Sequence, residues 1–280
     1  MKTALAAWHY PQRTPEENVA FFADAGFEVV SLNGGQLEPV FADPERAAKL
    51  AAVVKEKGIM LTIHNMLPAT HDEADVEAFH QRIDRFGAWQ KQYGELAILS
   101  FDVPQPIRDR ISSYVDYVLQ AVPNSKIAVE DFGLTEAECA QIEYLKAEPR
   151  FGFLLDLGHM FLRFCGKNAK IPTLFAYSEL EKVALGQTDR KAFLQAFATK
   201  EFPVFEMHLH NNDGANDVHW VLRNGALDMA EVAAALKTYG FDGVLTIESA
   251  PGYRFECRGQ AADDGILADK AYWETLVANA

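Results

Sequence analysis

The stretch Thr3–Pro11, TALAAWHYP, bears on which of two architectures the chain adopts. Thr3 to Trp8 is a short apolar run with no helix cap, which reads as a first strand. It continues as Trp8-His9-Tyr10-Pro11, without a glycine. An open, doubly wound α/β sheet usually carries a phosphate-binding glycine loop at this point, whereas a closed barrel has no such need. The same run is broken by His9 and Pro11, too early for the apolar segment of a signal peptide.

The remaining chain repeats a strand-then-helix pattern. Thr14-Pro15-Glu16-Glu17 has the form of an N-cap, a proline at the first helical position and an acidic first turn; that helix ends at Ala25-Gly26. EVVSL (Glu28–Leu32) is the second strand, closed by Asn33-Gly34-Gly35, and Asp43-Pro44-Glu45 opens a helix that Gly58 ends. IMLTIH (Ile59–His64), LAILSF (Leu96–Phe101), KIAVE (Lys126–Glu130) and FGFLLDL (Phe151–Leu157) are strands three to six. The helices after the first three of these run from Asp72 to Tyr93, from Pro106 to Gln120, and from the capping box at Thr135 to Pro149. An irregular segment from Met160 to Pro172 precedes a helix ending near Ala198. Val204 to His210 is the seventh strand, with its helix opened by Asp228. VLTIES (Val244–Ser249) is the eighth, followed by a last helix from Ala261 to Val277. Eight βα units in about 250 residues or more predict a single (β/α)8 TIM barrel, with residues 1–280 as one domain.

Bulk properties narrow the partners. The chain has 280 residues, 49% hydrophobic and 24% charged, as expected of a globular protein. A formal net charge of −14 argues against nucleic acid or an anionic membrane as partner, because both demand a basic footprint. Cys139, Cys165 and Cys257 are odd in number and widely spaced, which suits free thiols in a reducing, cytoplasmic compartment. No apolar run is long enough to span a bilayer. A small-molecule substrate is the expected partner.

The seventh strand and its loop, VFEMHLHNNDGANDVH (Val204–His219), carry the densest chemistry. Strand periodicity puts Phe205, Met207 and Leu209 on one face and Glu206, His208 and His210 on the other. Other strands also end in ionisable groups: His64, Glu130, Asp156 with His159 just beyond, and Glu248. In a barrel these ends share one rim, where active sites lie. Such a cluster of like charges repels itself unless a cation sits among its members. Each residue alone also has an ordinary reading. His64 can be a hydrogen-bonded histidine, Asp156 can cap the next helix, and Asp217-Val218-His219 can be a turn bonded to its own backbone. Trp8 and Phe101 can be an apolar wall or plain core, and His9, His71 and His80 read as structural or surface groups.

The segments VEDFG (Glu130), LLDLGH (Asp156, His159), MHLHNNDG (His208), NDVHWVLRNGALD and LTIES (Glu248) resemble, in that order, the xylose-isomerase-like TIM-barrel superfamily. It includes sugar-phosphate isomerases and epimerases and the endonuclease IV type of hydrolase. The resemblance spans strands three to eight and implies one divalent ion held by Glu130, Asp156, His208 and Glu248. Oxygen donors with one imidazole suit Mn²⁺, Mg²⁺, Co²⁺ or Zn²⁺. His64, His159, Asp217 and His219 match the larger ligand set of the endonuclease IV type. The histidine expected at the end of the fourth strand is replaced by Ser100 and Asp102. Asp217 and His219 are thus the candidates for a second metal.

Two enzyme classes follow, beside a barrel that binds a ligand without turning it over. One is a metal-dependent isomerase or epimerase of a small sugar, sugar phosphate or polyol. In it Glu130 and Glu248 move a proton around a metal-chelated α-hydroxy-carbonyl, and His64, His159 and His210 contact the substrate. The other is a metal-dependent hydrolase of a small-molecule phosphoester. Arg163, Lys167 and Lys170 in Met160–Pro172, together with Arg223 and Arg254, are candidates to grip an anionic group. A homodimer is expected by analogy with other barrel enzymes.

Overall fold

A computed structural model of the chain describes residues 1–94, 96–130, 136–164, 202–214, 216–250 and 262–280. Its strands are β1 (Lys2–Ala6), β2 (Val29–Asn33), β3 (Met60–Met66), β4 (Ile98–Asp102), β5 (Lys126–Glu130), β6 (Phe151–Asp156), β7 (Val204–Leu209) and β8 (Val244–Ile247). All neighbours pair in parallel and in sequence order, and β8 returns to β1, so the sheet closes. The closed (β/α)8 barrel is therefore borne out, and the open sheet is not. Among the described residues no helix is long and apolar enough to cross a membrane.

Side-chain caps start the helix after β1, the two helices after β2 and the helix after β7. α1 (Pro15–Asp24) starts with the Thr14/Glu17 capping box, in which Glu17 N–H donates to Thr14 Oγ1 at 3.3 Å and Thr14 N–H to Glu17 Oε2 at 2.8 Å. α2 (Gly34–Phe41) was not expected: it begins inside what reads as a Gly-Gly loop. Asn33 takes the Gly35 N–H at 2.8 Å, and Gln36 reaches back to the Asn33 N–H, a capping box strong enough to carry a helix containing Pro39. α3 (Pro44–Lys57) and α4 (Glu73–Tyr93) follow as read. The helix expected from Pro106 is a 3-10 turn over Gln105–Arg110 before α5 (Ile111–Ala121). α6 is Glu136–Gln141, and α7 (Leu157–Phe164) starts directly at the end of β6 and makes helical the first part, Met160–Phe164, of the segment read as irregular. α8 (Met229–Tyr239) and α9 (Ala262–Asn279) complete the ring. Thr135, the rest of the segment from residue 165 to Pro172, and the helix read up to Ala198 lie outside the described residues.

Alternation along the strands separates two interiors. Leu5, Val30, Ile63, Leu99, Val129, Leu155, Leu209 and Ile247 face the helices in one continuous core, where each large apolar side chain contributes about 1.5–3 kcal/mol. Ala4, Val29, Ile98, Ala128, Leu154 and Val244, near the strand starts, plug the barrel from within. Above them Ser31, Thr62, Ser100, Thr246 and Glu206 form a fully buried polar level, and the ionisable strand ends lie above that. Phe205 joins the inner plug and not the outer face expected for it. The register slips between β6 and β7, where Phe153 pairs with Val204 but Leu154 with Glu206, leaving Phe205 as the extra residue of a bulge. Gly152 makes room for it: a Cβ there would stand 2.4 Å from the Pro203 carbonyl oxygen.

Candidate active site

The polar strand ends converge on a cavity of about 630 Å³ at the C-terminal mouth of the barrel. His64 comes from β3, Asp102 from β4, Glu130 from β5 and Asp156 from β6, while Glu248 follows β8 and Asp217 and His219 lie in the loop after β7. His208, on β7 in register with Asp156, is buried beneath this cavity. Its Nδ1 stands 3.0 Å from Glu248 Oε2. Ligand atoms of Asp156, His208 and Glu248 lie within 4.8 Å of one another. Glu130 belongs to two adjoining groups of the same span, one with Asp156 and His159 and one with His64 and His208. Three of the four expected ligands therefore meet at one point, with the fourth beside them.

Asp156 reconciles its two readings. Its Oδ1 accepts the His159 backbone N–H at 2.7 Å, capping α7, while its buried Oδ2 takes no hydrogen bond and has His159 Nδ1 at 3.4 Å as an ion-pair neighbour. Such an orphaned acceptor next to Glu248 and His208 fits a bound cation. Further out, Asp217 is bracketed by His159 Nε2 at 3.3 Å and His219 Nε2 at 3.1 Å. His159, His210, Asp217 and His219 form a second group spanning no more than 4.8 Å.

Charge within the site is balanced by these pairings. Burial pushes the Glu130 carboxyl up to about 8, and the adjacent Asp102 carboxylate adds to the push. Burial also disfavours charge on Glu248, but His219 and His208 outweigh it and hold the group at about 2. Burial works against protonated His64 as well, yet Asp102 at 3.4 Å raises it to about 9. For His219 the same opposition is overcome by Glu248 and Asp217, again giving about 9. His208 and His159 are raised well above the ordinary range, by Glu248 and Asp156 respectively, against burial. A histidine binds a divalent ion only through an unprotonated ring nitrogen, so ion binding here would release protons.

The structure moves several residues relative to the sequence reading. Trp8 stacks on His64 at 5.4 Å and 26°, beside a residue that lines the cavity, whereas Phe101 packs against Phe79 in the outer core. His9, read as structural, has Nε2 4.0 Å from Glu248 Oε1. His71 pairs with Asp109, and His80 stacks on Tyr117, both away from the cavity. Arg223 does not reach the cavity; its Nε lies 3.5 Å from Asp269 Oδ1 on α9. Arg254, Lys167, Lys170 and the Arg163 side chain lie outside the described residues. Asp102 and Arg108 line the cavity although neither was singled out as a site residue. The strand reading stopped at Phe101, one residue before the alternation of Ile98, Ser100 and Asp102 would have placed Asp102 inward.

Residues 19–271 match the family model described as xylose isomerase-like TIM barrel. The chain belongs to that family. Solved structures with the same fold include a D-psicose 3-epimerase from Clostridium cellulolyticum H10, with a TM-score of 0.66 at 12% identity over 99% of both chains. A D-tagatose 3-epimerase-like protein gives 0.63 at 15% identity over 100% of this chain and 99% of that one. The TTHB071 protein from Thermus thermophilus, soaked with ZnCl2, gives 0.64 at 16% over 100% and 99%. An uncharacterized protein of Methanocaldococcus jannaschii is 23% identical over 162 residues, 58% of this chain and 46% of that protein, so the match spans about half of the relative. The strand ends of this barrel supply the candidate site.

Proposed function

We propose that the chain is a divalent-metal-dependent isomerase or epimerase of a small sugar, sugar phosphate or polyol. The observation that carries this reading is the convergence of Asp156, His208 and Glu248 within 4.8 Å, with Glu130 in the adjoining groups. The donors fit a hard or borderline ion such as Mn²⁺, Mg²⁺, Co²⁺ or Zn²⁺. When bound there, such an ion supplies Lewis acidity toward the adjacent oxygens of an α-hydroxy-carbonyl. Glu130 and Glu248, three strands apart around the barrel, take and return the proton on the substrate carbon. His64 and His159 hydrogen-bond the substrate oxygens, and Trp8 forms an apolar wall beside them. The folds and names of the D-psicose 3-epimerase and the D-tagatose 3-epimerase-like protein above support the same reading.

The outer group of His159, His210, Asp217 and His219 favours a second reading, a two-metal hydrolase of a small-molecule phosphoester. Metal analysis of the purified chain separates the two. One tightly held ion per chain supports the isomerase; two or more support hydrolysis.

A further inference from the structure

Glu206 is the one ionisable group on the buried polar level below the cavity among the described residues, and it is completely inaccessible to solvent. A carboxylate in this position costs several kcal/mol unless its neighbours compensate for lost hydration. Its surroundings are specific. Thr246 Oγ1 donates to Glu206 Oε1 at 2.6 Å, and Thr62 Oγ1 approaches the same oxygen at 3.4 Å. These hydroxyls, from β8 and β3, fix the carboxylate from two sides.

The third neighbour is His208. Its Nε2 lies 3.7 Å from Glu206 Oε1, while its Nδ1 lies 3.0 Å from Glu248 Oε2 on the cavity side. Neither Nε2 of His208 nor Oε2 of Glu206 has a hydrogen-bond partner, although both are buried. One imidazole therefore spans two levels of the barrel, with one nitrogen turned to the converging ligands and the other to an isolated carboxylate. Such a carboxylate orients a metal-binding histidine and increases the basicity of its ligating nitrogen.

We infer that Glu206 is a positioning residue for His208, taking the Nε2–H so that Nδ1 is presented to a divalent cation with Asp156 and Glu248. Thr62 and Thr246 hold Glu206 in place for this. The inference rests on the metal-site part of the proposed function and not on the reaction assigned there.

The test uses the full chain, Mn²⁺ alone and no substrate. Affinity is measured by chelator competition for the parent, Glu206→Gln and Glu206→Leu, with circular dichroism confirming that each is folded. The two replacements weaken Mn²⁺ binding about 10- to 100-fold, Leu more than Gln, and keep the parent's stoichiometry. In the Zn²⁺-loaded parent labelled with ¹⁵N-histidine, His208 carries its proton on Nε2. Affinities within twofold of the parent overturn the inference, as does a proton on Nδ1. Complete loss of binding in folded Glu206→Gln overturns it too, because Glu206 would then be a ligand itself. A parent that binds no Mn²⁺ overturns both this inference and the metal site, whereas a parent that binds while the variants match it overturns only the role of Glu206.

Discussion

His210 lies flat against His219, with ring centroids 3.8 Å apart and planes 14° from parallel. His219 reaches this position through a left-handed backbone at φ 47°, the one such non-glycine residue among those described. That conformation costs an L-residue about 1–2 kcal/mol. It is held by His219 Nδ1 against the Glu248 carbonyl at 3.1 Å and by the Ala250 N–H donating to the His219 carbonyl at 2.9 Å. A strained residue fixed from both sides puts its imidazole 3.1 Å from the Asp217 carboxylate, which pre-arranges the outer cluster.

The stack depends on Gly158. A Cβ on that residue would lie 2.3 Å from the His210 ring, so Gly158→Ala must drive the imidazole away from Asp156 and His219. The expected result is a loss of about 1–3 kcal/mol in chemical denaturation, as for other overpacked sites. Displaced His210 resonances in a ¹⁵N-histidine spectrum should accompany it, and an unmoved ring would show that the contact relaxes elsewhere.

Glu16 on α1 is buried and receives two hydrogen bonds from Arg46 on α3, at 3.0 and 3.1 Å. Removing the guanidinium by Arg46→Ala strands the carboxylate, and with one partner partly exposed the expected cost is about 2 kcal/mol. The double variant Glu16→Leu/Arg46→Met should recover most of it. Urea denaturation of the parent and the two variants checks both statements.

Asp269 gives a pH dependence unconnected with the metal ligands. Burial pushes its carboxyl up to about 6, while the Leu222 N–H at 3.0 Å, Ser249 and Arg223 pull the other way. Because the folded form holds the proton more tightly than the unfolded form, this group reduces stability as pH rises from about 4 to about 6 and leaves it reduced above that. The difference amounts to roughly 3 kcal/mol. Asp269→Asn, which keeps an oxygen for the Leu222 N–H, should lack that decline when stability is followed from pH 4 to pH 7.

Much of the barrel was legible because its signals are local. The Thr14/Glu17 box and the alternation of Met60-Thr62-His64 depend only on nearby residues. What escaped depends on facing elements. Phe205 turned inward because Gly152 on the neighbouring strand permits a bulge, and Arg223 is paired with Asp269 on the last helix. His9 entered the site through the turn after β1, whose direction no periodicity reveals. The converging carboxylates and imidazoles were readable because one geometric rule puts every strand's C-terminal end at the same mouth.

The most direct measurement of the central claim is solvent exchange at the substrate carbon. Mn²⁺-loaded protein is incubated in D2O with a panel of ketohexoses and ketopentoses, and each sugar is read by mass spectrometry and NMR. The account predicts deuterium at the hydroxyl-bearing carbon next to the carbonyl of at least one sugar, with incorporation abolished by chelation and by Glu130→Gln. No incorporation into any sugar by the metal-loaded parent, or incorporation by Glu130→Gln at the parent's rate, would contradict it.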